Sequence, residues 1–310
     1  MEMNASNVNV TVNVTGLEEE TYNALSDITL FYKIYLELYT ILSILCIIAN
    51  SLLMFVILKH RRLRKEKENI ILLNWCVLNT FFMVTQPATF RIEMYWTGIW
   101  RYTTFCVLEQ TEYTALFGDV ILIELLFLYW FLKMYYPRAS RKLSAHLHFV
   151  LIIVYVLFVT CVALHIGTCV RRSRGYAEVI LVLSYSIFLL FMIVMNITHL
   201  VKRRKLVQTT PVSNVPYILS NIFFLAVFPL LVVGFVGLFI EAHYFLIISL
   251  VNISLFLSIM NPIYFFVTLY KFDNNYNTFL GYVLRCKCNQ YGNDEMQEEP
   301  VVYNTTVQIS

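Results

Sequence analysis

Seven long apolar stretches are the feature that most constrains how this chain can fold. They lie near residues 33–58, 69–90, 106–136, 146–167, 177–201, 215–240 and 244–270. Each supplies at least the length of about 20 mostly apolar residues that a helix needs to cross a bilayer. Hydrophobic residues make up 59% of the chain and charged residues 14%, which leaves more apolar surface than a soluble domain can bury. The sequence therefore predicts an all-α membrane protein built as a bundle of seven transmembrane helices.

The basic residues are divided unevenly between the two predicted sides of the membrane. One orientation assigns 17 of the 23 Lys and Arg residues to a single side. Because basic residues in short loops stay in the cytosol, that side is predicted to be cytoplasmic. The first 32 residues are then extracellular, and they contain three glycosylation sequons, at Asn4, Asn9 and Asn13. Both features predict a multi-pass protein of the plasma membrane with an extracellular N-terminus.

Several classes of function find no support in the sequence. Topology and contacts with anionic membrane lipid account for basic residues at helix ends, so nucleic-acid binding is not expected. The six histidines show no metal-binding spacing, and the nine glycines form no phosphate-binding loop. We therefore expect neither an enzyme nor a resident cofactor, with a sodium ion at Asp119 as the one candidate considered below.

The cysteines divide by their predicted location. Cys106 and Cys169 are the only two on the oxidising, extracellular side, which predicts a disulfide between them. Cys286 and Cys288 follow the last span beside basic residues, a setting typical of S-palmitoylation. The two pairs thus predict one cross-link outside the cell and one lipid anchor inside it.

Motifs spread over nearly the whole chain carry a resemblance to a known family. They are Asn50 in the first span, Asn74 and Asn79 in the second, Trp100 before Cys106, Pro137 after the third span, Phe223 six residues before Pro229, and Asn261-Pro262 with Phe265 in the seventh. With this set the chain resembles the rhodopsin-like (class A) family of G-protein-coupled receptors. The resemblance implies a bundle over residues 33–270, a short amphipathic eighth helix over 271–288 and a disordered cytoplasmic tail over 289–310.

The chain departs from this family at positions that switch the receptor. Tyr129-Trp130-Phe131 stands where the family has Asp-Arg-Tyr, and Val227 stands where it has a Trp. Trp130 cannot reproduce the charge of the family's Arg, although it can pack as an aromatic anchor. The resemblance implies a switching and coupling set formed by Tyr129, Trp130, Phe131, Phe223, Pro229, Pro262 and Phe265.

The function that the resemblance implies is transduction of an extracellular ligand signal, chemosensory or carried by an orphan peptide or small molecule. Its implied partners are a heterotrimeric G protein, arrestin at the tail and membrane lipid. The altered motifs keep open a receptor-like scaffold, decoy or partner subunit that does not signal. An ion or proton transporter is the other alternative, although the sequence shows neither an internal repeat nor paired broken helices.

Polar residues inside the predicted spans are the candidates for a central site, because such groups face the bundle interior. The resemblance implies that Asn50, Asn79 and Asn261 converge in a hydrogen-bonded network. On the third span, Glu112 and Asp119 fall within about 20° of each other. We hypothesise that Asp119 replaces the acid missing at Asn79, either ionised with sodium and water or protonated and hydrogen-bonded.

Glu112 lies one or two helical turns inside Cys106, at the depth where ligands of the resembled family bind. We expect a ligand pocket formed by Glu109, Glu112, Tyr113 and Phe228, with walls from the sixth and seventh spans. A cationic ligand would pair with Glu112. Two alternatives remain open, namely an internal ion pair with Arg91, Arg101 or one of Arg171, Arg172 and Arg174, and an anionic ligand held by those arginines.

Overall fold

The computed structural model describes residues 14–96, 101–170, 177–203, 213–239 and 244–284. Every regular element in these ranges is a helix, which confirms the all-α expectation for the described part. The helices are α1 Val14–Lys59, α2 Arg61–Lys65, α3 Lys67–Tyr95, α4 Arg101–Tyr135, α5 Pro137–Val170, α6 Ala177–Arg203, α7 Val215–Phe239, α8 Tyr244–Ile259, α9 Asn261–Phe272 and α10 Asn274–Leu284.

Six helical segments in the described ranges are long and apolar enough to cross a membrane. They are Lys33–Lys59, Lys67–Ile92, Arg101–Tyr135, Pro137–Val170, Leu183–Lys202 and Leu250–Phe272. A shorter apolar segment, Val215–Leu230 in α7, lies within the predicted span 215–240. These segments indicate a membrane-embedded protein, because their length and apolar composition match the hydrocarbon core of a bilayer.

The central helix of the bundle is α4, which packs against α3, α5, α6 and α7. In its most apolar window 72% of the residues are buried, whereas in α5 the corresponding value is 11%. The side chains of α5 therefore face outward along most of its length, toward lipid. Acidic and amide side chains on α4 are enclosed by protein on several sides, which is where a polar site can be built.

The helix break between α8 and α9 follows from the Asn261-Pro262 sequence. Pro262 has no N–H to donate to the carbonyl of Ser258, four residues earlier. The side chain of Asn261 supplies the missing donor, with Nδ2 located 2.8 Å from Ser258 O. The Ser258 hydroxyl also lies 3.3 Å from Ala226 O on α7. The break is thus hydrogen-bonded locally and joined to the neighbouring helix.

The short helix α10 docks on the corner formed by α1, α2 and α3. Asp273 caps it, because its Oδ1 accepts from the backbone N–H groups of Asn275 and Tyr276 at 2.9 and 3.3 Å. The Tyr276 hydroxyl donates to Asn69 Oδ1 at 2.9 Å, and the Phe279 ring stacks on His60 with centroids 3.8 Å apart. An aromatic face therefore holds α10 against the bundle.

The acids at this corner predict how the docking of α10 depends on pH. Burial raises the pKa of Asp273 above its usual 3.8. Burial also raises the pKa of Glu66 above its usual 4.5, and the nearby carboxylates of Glu68 and Asp273 add to this shift. Arg62 opposes both shifts. A carboxyl whose pKa rises on folding stabilises the fold below its unfolded pKa and loses that contribution as pH rises through the folded pKa. Docking of α10 should therefore weaken as pH rises above these ordinary values toward neutrality.

A substitution separates the charge of Asp273 from its capping role. Asp273→Asn is expected to strengthen the docking of α10 at neutral pH, because the amide oxygen still caps the helix while the buried charge is gone. Asp273→Ala removes the cap as well and is expected to cost about 1 kcal/mol. Hydrogen exchange of the α10 amides at about pH 5 and about pH 7.5 measures both effects; faster exchange in Asp273→Asn at neutral pH would contradict this account.

Candidate functional site: a polar chain and an aromatic junction around α4

A chain of three buried polar side chains crosses the centre of the bundle. Asn50 on α1 donates through Nδ2 to Asn79 Oδ1 at 2.9 Å, and Asn79 on α3 donates through Nδ2 to Asp119 Oδ2 at 2.7 Å. All three side chains are buried. The structure thus brings together the acid of α4 and the amide of α3, as the hypothesis for Asp119 required.

Close packing of α3 and α4 accompanies this contact. Gly118 precedes Asp119, and a Cβ atom at position 118 would lie 2.8 Å from Leu78 Cδ1, which directly precedes Asn79. A side chain at position 118 would therefore push Leu78 away. The absence of a Cβ atom lets the two helices approach at the level of the polar chain.

Two acceptor atoms of the polar chain, Oδ1 of Asn50 and Oδ1 of Asp119, have no hydrogen-bond partner within the described ranges. The same is true of Oδ1 of Asn261, which does not belong to the polar chain. Buried acceptors of this kind need a donor or a cation. A protonated Asp119 would turn its own Oδ1 into a donor, whereas an ionised Asp119 would need a cation such as sodium; both readings of the hypothesis fit these atoms.

The fourth residue of the predicted polar network, Asn261, occupies a different role. Its side chain is buried, but Nδ2 donates to Ser258 O in the preceding helix rather than to Asn50, Asn79 or Asp119. The Asn261 amide donor is used by the carbonyl that Pro262 leaves unpaired. The Asn261 amide therefore stabilises the local helix break and does not donate to the polar chain.

Near the N-terminal end of α4, the structure contains the expected disulfide between Cys106 and Cys169, which joins α4 to the end of α5. One helical turn or two inward, Glu112 is buried beside Thr89 of α3, with Glu109 nearby. Tyr35 and Tyr39 of α1 lie close enough to Glu112 to interact with its charge. The surroundings of Glu112 are therefore phenol and hydroxyl groups from α1 and α3.

The residues of the predicted ligand pocket are divided between α4 and α7. Tyr113 is half-buried on α4, whereas Phe228 is 40% exposed on α7 and packs on Phe224 of its own helix. No contact in the described part of the chain joins Phe228 to Glu112. The described neighbours of Glu112 lie on α1 and α3, and one of them, Tyr35, donates its hydroxyl to Asn252 O of α8 at 3.2 Å.

The proposed ion pair between Glu112 and Arg91 is also absent in the described part. Arg91 pairs with Glu37 on α1 at 3.3 Å, and both side chains are exposed. Arg171, Arg172 and Arg174 lie outside the described residues. Arg101 has interactions of its own in the structure, and the cationic ligand at Glu112 stays a prediction.

At the opposite end of α4, Trp130 forms the centre of an aromatic junction. Its side chain is fully buried, and Nε1 donates to Ser213 O, just before α7, at 3.0 Å. The indole ring lies 4.8 Å from the Tyr217 ring of α7 and 5.1 Å from the His199 ring of α6, centroid to centroid. Trp130 thus connects α4 with both α6 and α7.

His199 ties a second residue of α4 into this aromatic junction. The Tyr135 hydroxyl lies 2.7 Å from His199 Nδ1, and the Phe127 ring stacks on both the Trp130 and the Tyr217 ring, with centroids 5.7 and 5.9 Å away. Neither His199 nor Tyr217 was singled out from the sequence. The one sequence signal that could have suggested them is an aromatic ring near the C-terminal end of α6 and another near the N-terminal end of α7.

The remaining switch candidates are distributed around α3 and α4. Trp75 of α3 packs against Phe265 of α9 at 4.3 Å and against Phe223 of α7 at 6.4 Å, centroid to centroid. Trp75 is thus a further residue that the sequence reasoning missed, although it directly follows Asn74 of the recognised motif. It joins two predicted switch residues that are far apart in the chain.

Other candidates fall beside these contacts or outside the described ranges. Tyr129 and Phe131 flank Trp130 and are buried, and Pro229 is half-buried within α7. The glycosylation candidates Asn4, Asn9 and Asn13 and the palmitoylation candidates Cys286 and Cys288 lie outside the described residues. These modifications stay predictions.

No protein-family model matches the chain, and no curated protein matches it. The functional conclusion below therefore depends on the geometry of the polar chain and the aromatic junction, together with the sequence motifs.

Proposed function

We propose that this protein is a divergent seven-helix receptor of the rhodopsin-like type, which transmits an extracellular ligand signal to a heterotrimeric G protein. In this proposal α7 is the sixth span, α8 and α9 together are the seventh, and α10 is the amphipathic eighth helix. The N-terminus is extracellular, and the aromatic junction around Trp130 faces the cytosol. The protein is placed in the plasma membrane.

One observation carries the proposal, namely the position of Trp130 between α4, α6 and α7. In receptors of this type, an Arg at the corresponding place restrains the sixth span in the inactive state. Trp130 contacts the equivalent helix, α7, through its ring and through the hydrogen bond to Ser213. The contact is aromatic where the family's is ionic, but it joins the same elements and can separate in the same way.

The helix α4 supplies the route between the ligand and this junction. Glu112 and Asp119 lie on one stripe of α4, and Trp130 lies further along the same helix. A ligand that contacts Glu112 would bias the position of α4 relative to α1 and α3, and α7 would respond about Pro229. Separation of Trp130 from Tyr217 would then open a cleft at the cytoplasmic end.

The topology of the proposal can be tested directly with two epitope tags. Seven crossings place the termini on opposite sides, so an N-terminal tag should bind antibody on intact cells, while a C-terminal tag should bind only after permeabilisation. Labelling of both tags on intact cells, or of neither, would indicate an even number of crossings and would overturn the seven-helix assignment. This outcome would not depend on any signalling activity.

Signalling is tested by basal G-protein activation, normalised to the amount of protein at the cell surface. Wild type is expected to exceed mock cells, and Trp130→Phe is expected to exceed wild type about fivefold, because losing one hydrogen bond of about 1 kcal/mol shifts the closed-to-open equilibrium by that factor. Tyr217→Phe serves as control, since it keeps the ring contacts of the aromatic junction. Silence of all three at normal surface level would favour a receptor-shaped scaffold or partner subunit.

A further inference from the structure

A cleft opens at the corner where α4 ends and α5 begins, apart from the polar chain and the aromatic junction. It has a volume of about 330 Å³, and its lining consists of Tyr129, Lys133, Pro137, Ser140, Arg141 and Ser144. Apart from the proline, every lining side chain can donate a hydrogen bond, and none is a carboxylate. Such a lining is suited to an anionic group rich in acceptor oxygens.

The two serines provide donors that the protein itself does not use. Ser140 is only 6% exposed, yet its hydroxyl has no hydrogen-bond partner in the described part of the chain. Ser144, one turn further along α5, has no partner there either. Pro137 is the first residue of the 34-residue helix α5 and α4 ends at Tyr135, so the cleft lies between the N-terminus of one helix and the C-terminus of the other, whose dipoles oppose each other.

The charges around the cleft leave a net positive balance. Lys133 pairs with Glu68 of α3, with Nζ located 2.5 Å from Oε1. Arg141 is exposed and makes no ion pair in the described ranges. One cation of the lining is therefore neutralised by the protein, and the other is available to a ligand. A group with one net negative charge would complete the balance.

An exposed stripe of α5 leads away from the cleft, past His148, to apolar residues. On a helix, positions 152 and 159 fall within about 20° of position 141, at heights of about 16 and 27 Å along the axis. Ile152 is 59% exposed and Val159 is 62% exposed. A ligand that occupies the cleft with a polar head could therefore lay an acyl chain along these residues.

We infer that the cleft at the α4–α5 corner binds the phosphate-bearing headgroup of an anionic membrane lipid, with an acyl chain lying on the outer face of α5. A phosphomonoester presents three acceptor oxygens, one for each of the unused donor groups Arg141, Ser140 and Ser144, whereas a phosphodiester presents two free oxygens. Arg141 contacts the phosphate, Ser140 and Ser144 donate to its oxygens, and Tyr129 and Lys133 close the inner wall. The inference requires the membrane-spanning arrangement of the proposed function but not coupling to a G protein.

The binding is tested with the purified full chain in nanodiscs of phosphatidylcholine that contain a small fraction of fluorescent phosphatidylinositol 4-phosphate. Wild type is expected to bind this lipid more tightly than phosphatidylserine offered in the same way. Arg141→Gln is expected to weaken binding about tenfold, because it removes a charge-assisted contact with the phosphate. Arg138→Gln is the matched control, since it removes the same charge from an exposed position in the same helical turn that does not line the cleft.

Three outcomes would overturn the inference. Equal weakening by Arg138→Gln and Arg141→Gln would show diffuse attraction to the membrane surface. Competition by inositol 1,4-bisphosphate at the affinity of the lipid would identify a soluble phosphorylated ligand, since the acyl chain would then contribute nothing. Unchanged binding in both Arg141→Gln and Ser140→Ala would show that the cleft is not the site.

Loss of folding in a variant is distinguished from loss of the site. Melting of each variant is followed in nanodiscs of pure phosphatidylcholine, where the phosphate-bearing lipid is absent. If Arg141→Gln melts below wild type there, its weaker lipid binding could reflect lost folding. The lipid binding of Ser140→Ala is then the deciding measurement, because this change removes one hydroxyl from the cleft and leaves all charges in place. Weaker lipid binding by Ser140→Ala at an unchanged melting temperature supports the inference, and undiminished binding contradicts it.

Discussion

Truncation of Trp130 to alanine is expected to cost about 3–5 kcal/mol of stability, as for other large aromatic side chains removed from a protein interior. The side chain is fully buried, and its loss removes contacts with Phe127, His199 and Tyr217 at once. In detergent, the melting temperature should fall on the order of 10 °C. Fluorescence-detected size exclusion after heating measures this directly.

A matched pair of tryptophans isolates the hydrogen bond within this effect. Trp75 and Trp130 are both fully buried, but Trp130 Nε1 donates to Ser213 O, whereas Trp75 Nε1 has no partner in the described ranges. Trp130→Phe should therefore destabilise more than Trp75→Phe by about 1 kcal/mol, because only the first change leaves a carbonyl without its donor. Equal losses would show that the indole N–H does not contribute to the aromatic junction.

Replacement of Asn79 by alanine is expected to destabilise the protein by about 2–5 kcal/mol. Asn79 is the middle member of the polar chain, so its removal leaves both Asn50 Nδ2 and Asp119 Oδ2 without partners in the interior. A buried polar group left unpaired costs about 1–3 kcal/mol, and more if it is charged. The measurement is again the melting temperature of the purified protein, with Thr80→Ala as a control because the Thr80 hydroxyl bonds only to the Cys76 carbonyl of the same helix.

The coupling between Asn79 and Asp119 can be measured by a double-mutant cycle. Because the two side chains share one hydrogen bond, Asn79→Ala combined with Asp119→Ala should cost about 1–2 kcal/mol less than the sum of the single changes. Strict additivity would contradict the 2.7 Å contact between them.

The same residue allows the sodium hypothesis to be tested. If an ionised Asp119 holds sodium, wild type should melt at a higher temperature in sodium chloride than in choline chloride, by an amount that Asp119→Asn abolishes. The amide of Asp119→Asn can keep the hydrogen bond with Asn79, so a loss of overall folding is not expected. A sodium response that Asp119→Asn leaves unchanged would exclude this site and favour the protonated form.

Several features of the fold were predictable because they depend on local chemistry. Apolar length predicted where the helices lie, and the break at Asn261-Pro262 follows from a proline that cannot donate a backbone hydrogen bond. The Cys106–Cys169 disulfide was predictable from the presence of only two cysteines on one side. Helical spacing placed Glu112 and Asp119 on one face of α4, and the resemblance suggested Asn79 as the partner of Asp119.

The contacts of individual side chains could not be predicted in the same way. Helical periodicity states which face a residue occupies, but it does not state which neighbouring helix covers that face. Phe228, for example, is 40% exposed on α7, and the described neighbours of Glu112 include Tyr35 of α1 and Thr89 of α3. Asn261 likewise serves the carbonyl of Ser258, a demand that only the geometry of the helix break reveals.

The sequence by itself determined that this chain consists of long apolar helices with a few polar groups in their interior, because the cost of exposing apolar surface to water is a property of composition and order. Only the tertiary structure decided that Asn50, Asn79 and Asp119 form one hydrogen-bonded chain and that Trp130 meets His199 and Tyr217. These contacts join residues on different helices, and hydrogen bonds and ring packing depend on distances of a few ångströms that helix rotation and crossing alone establish.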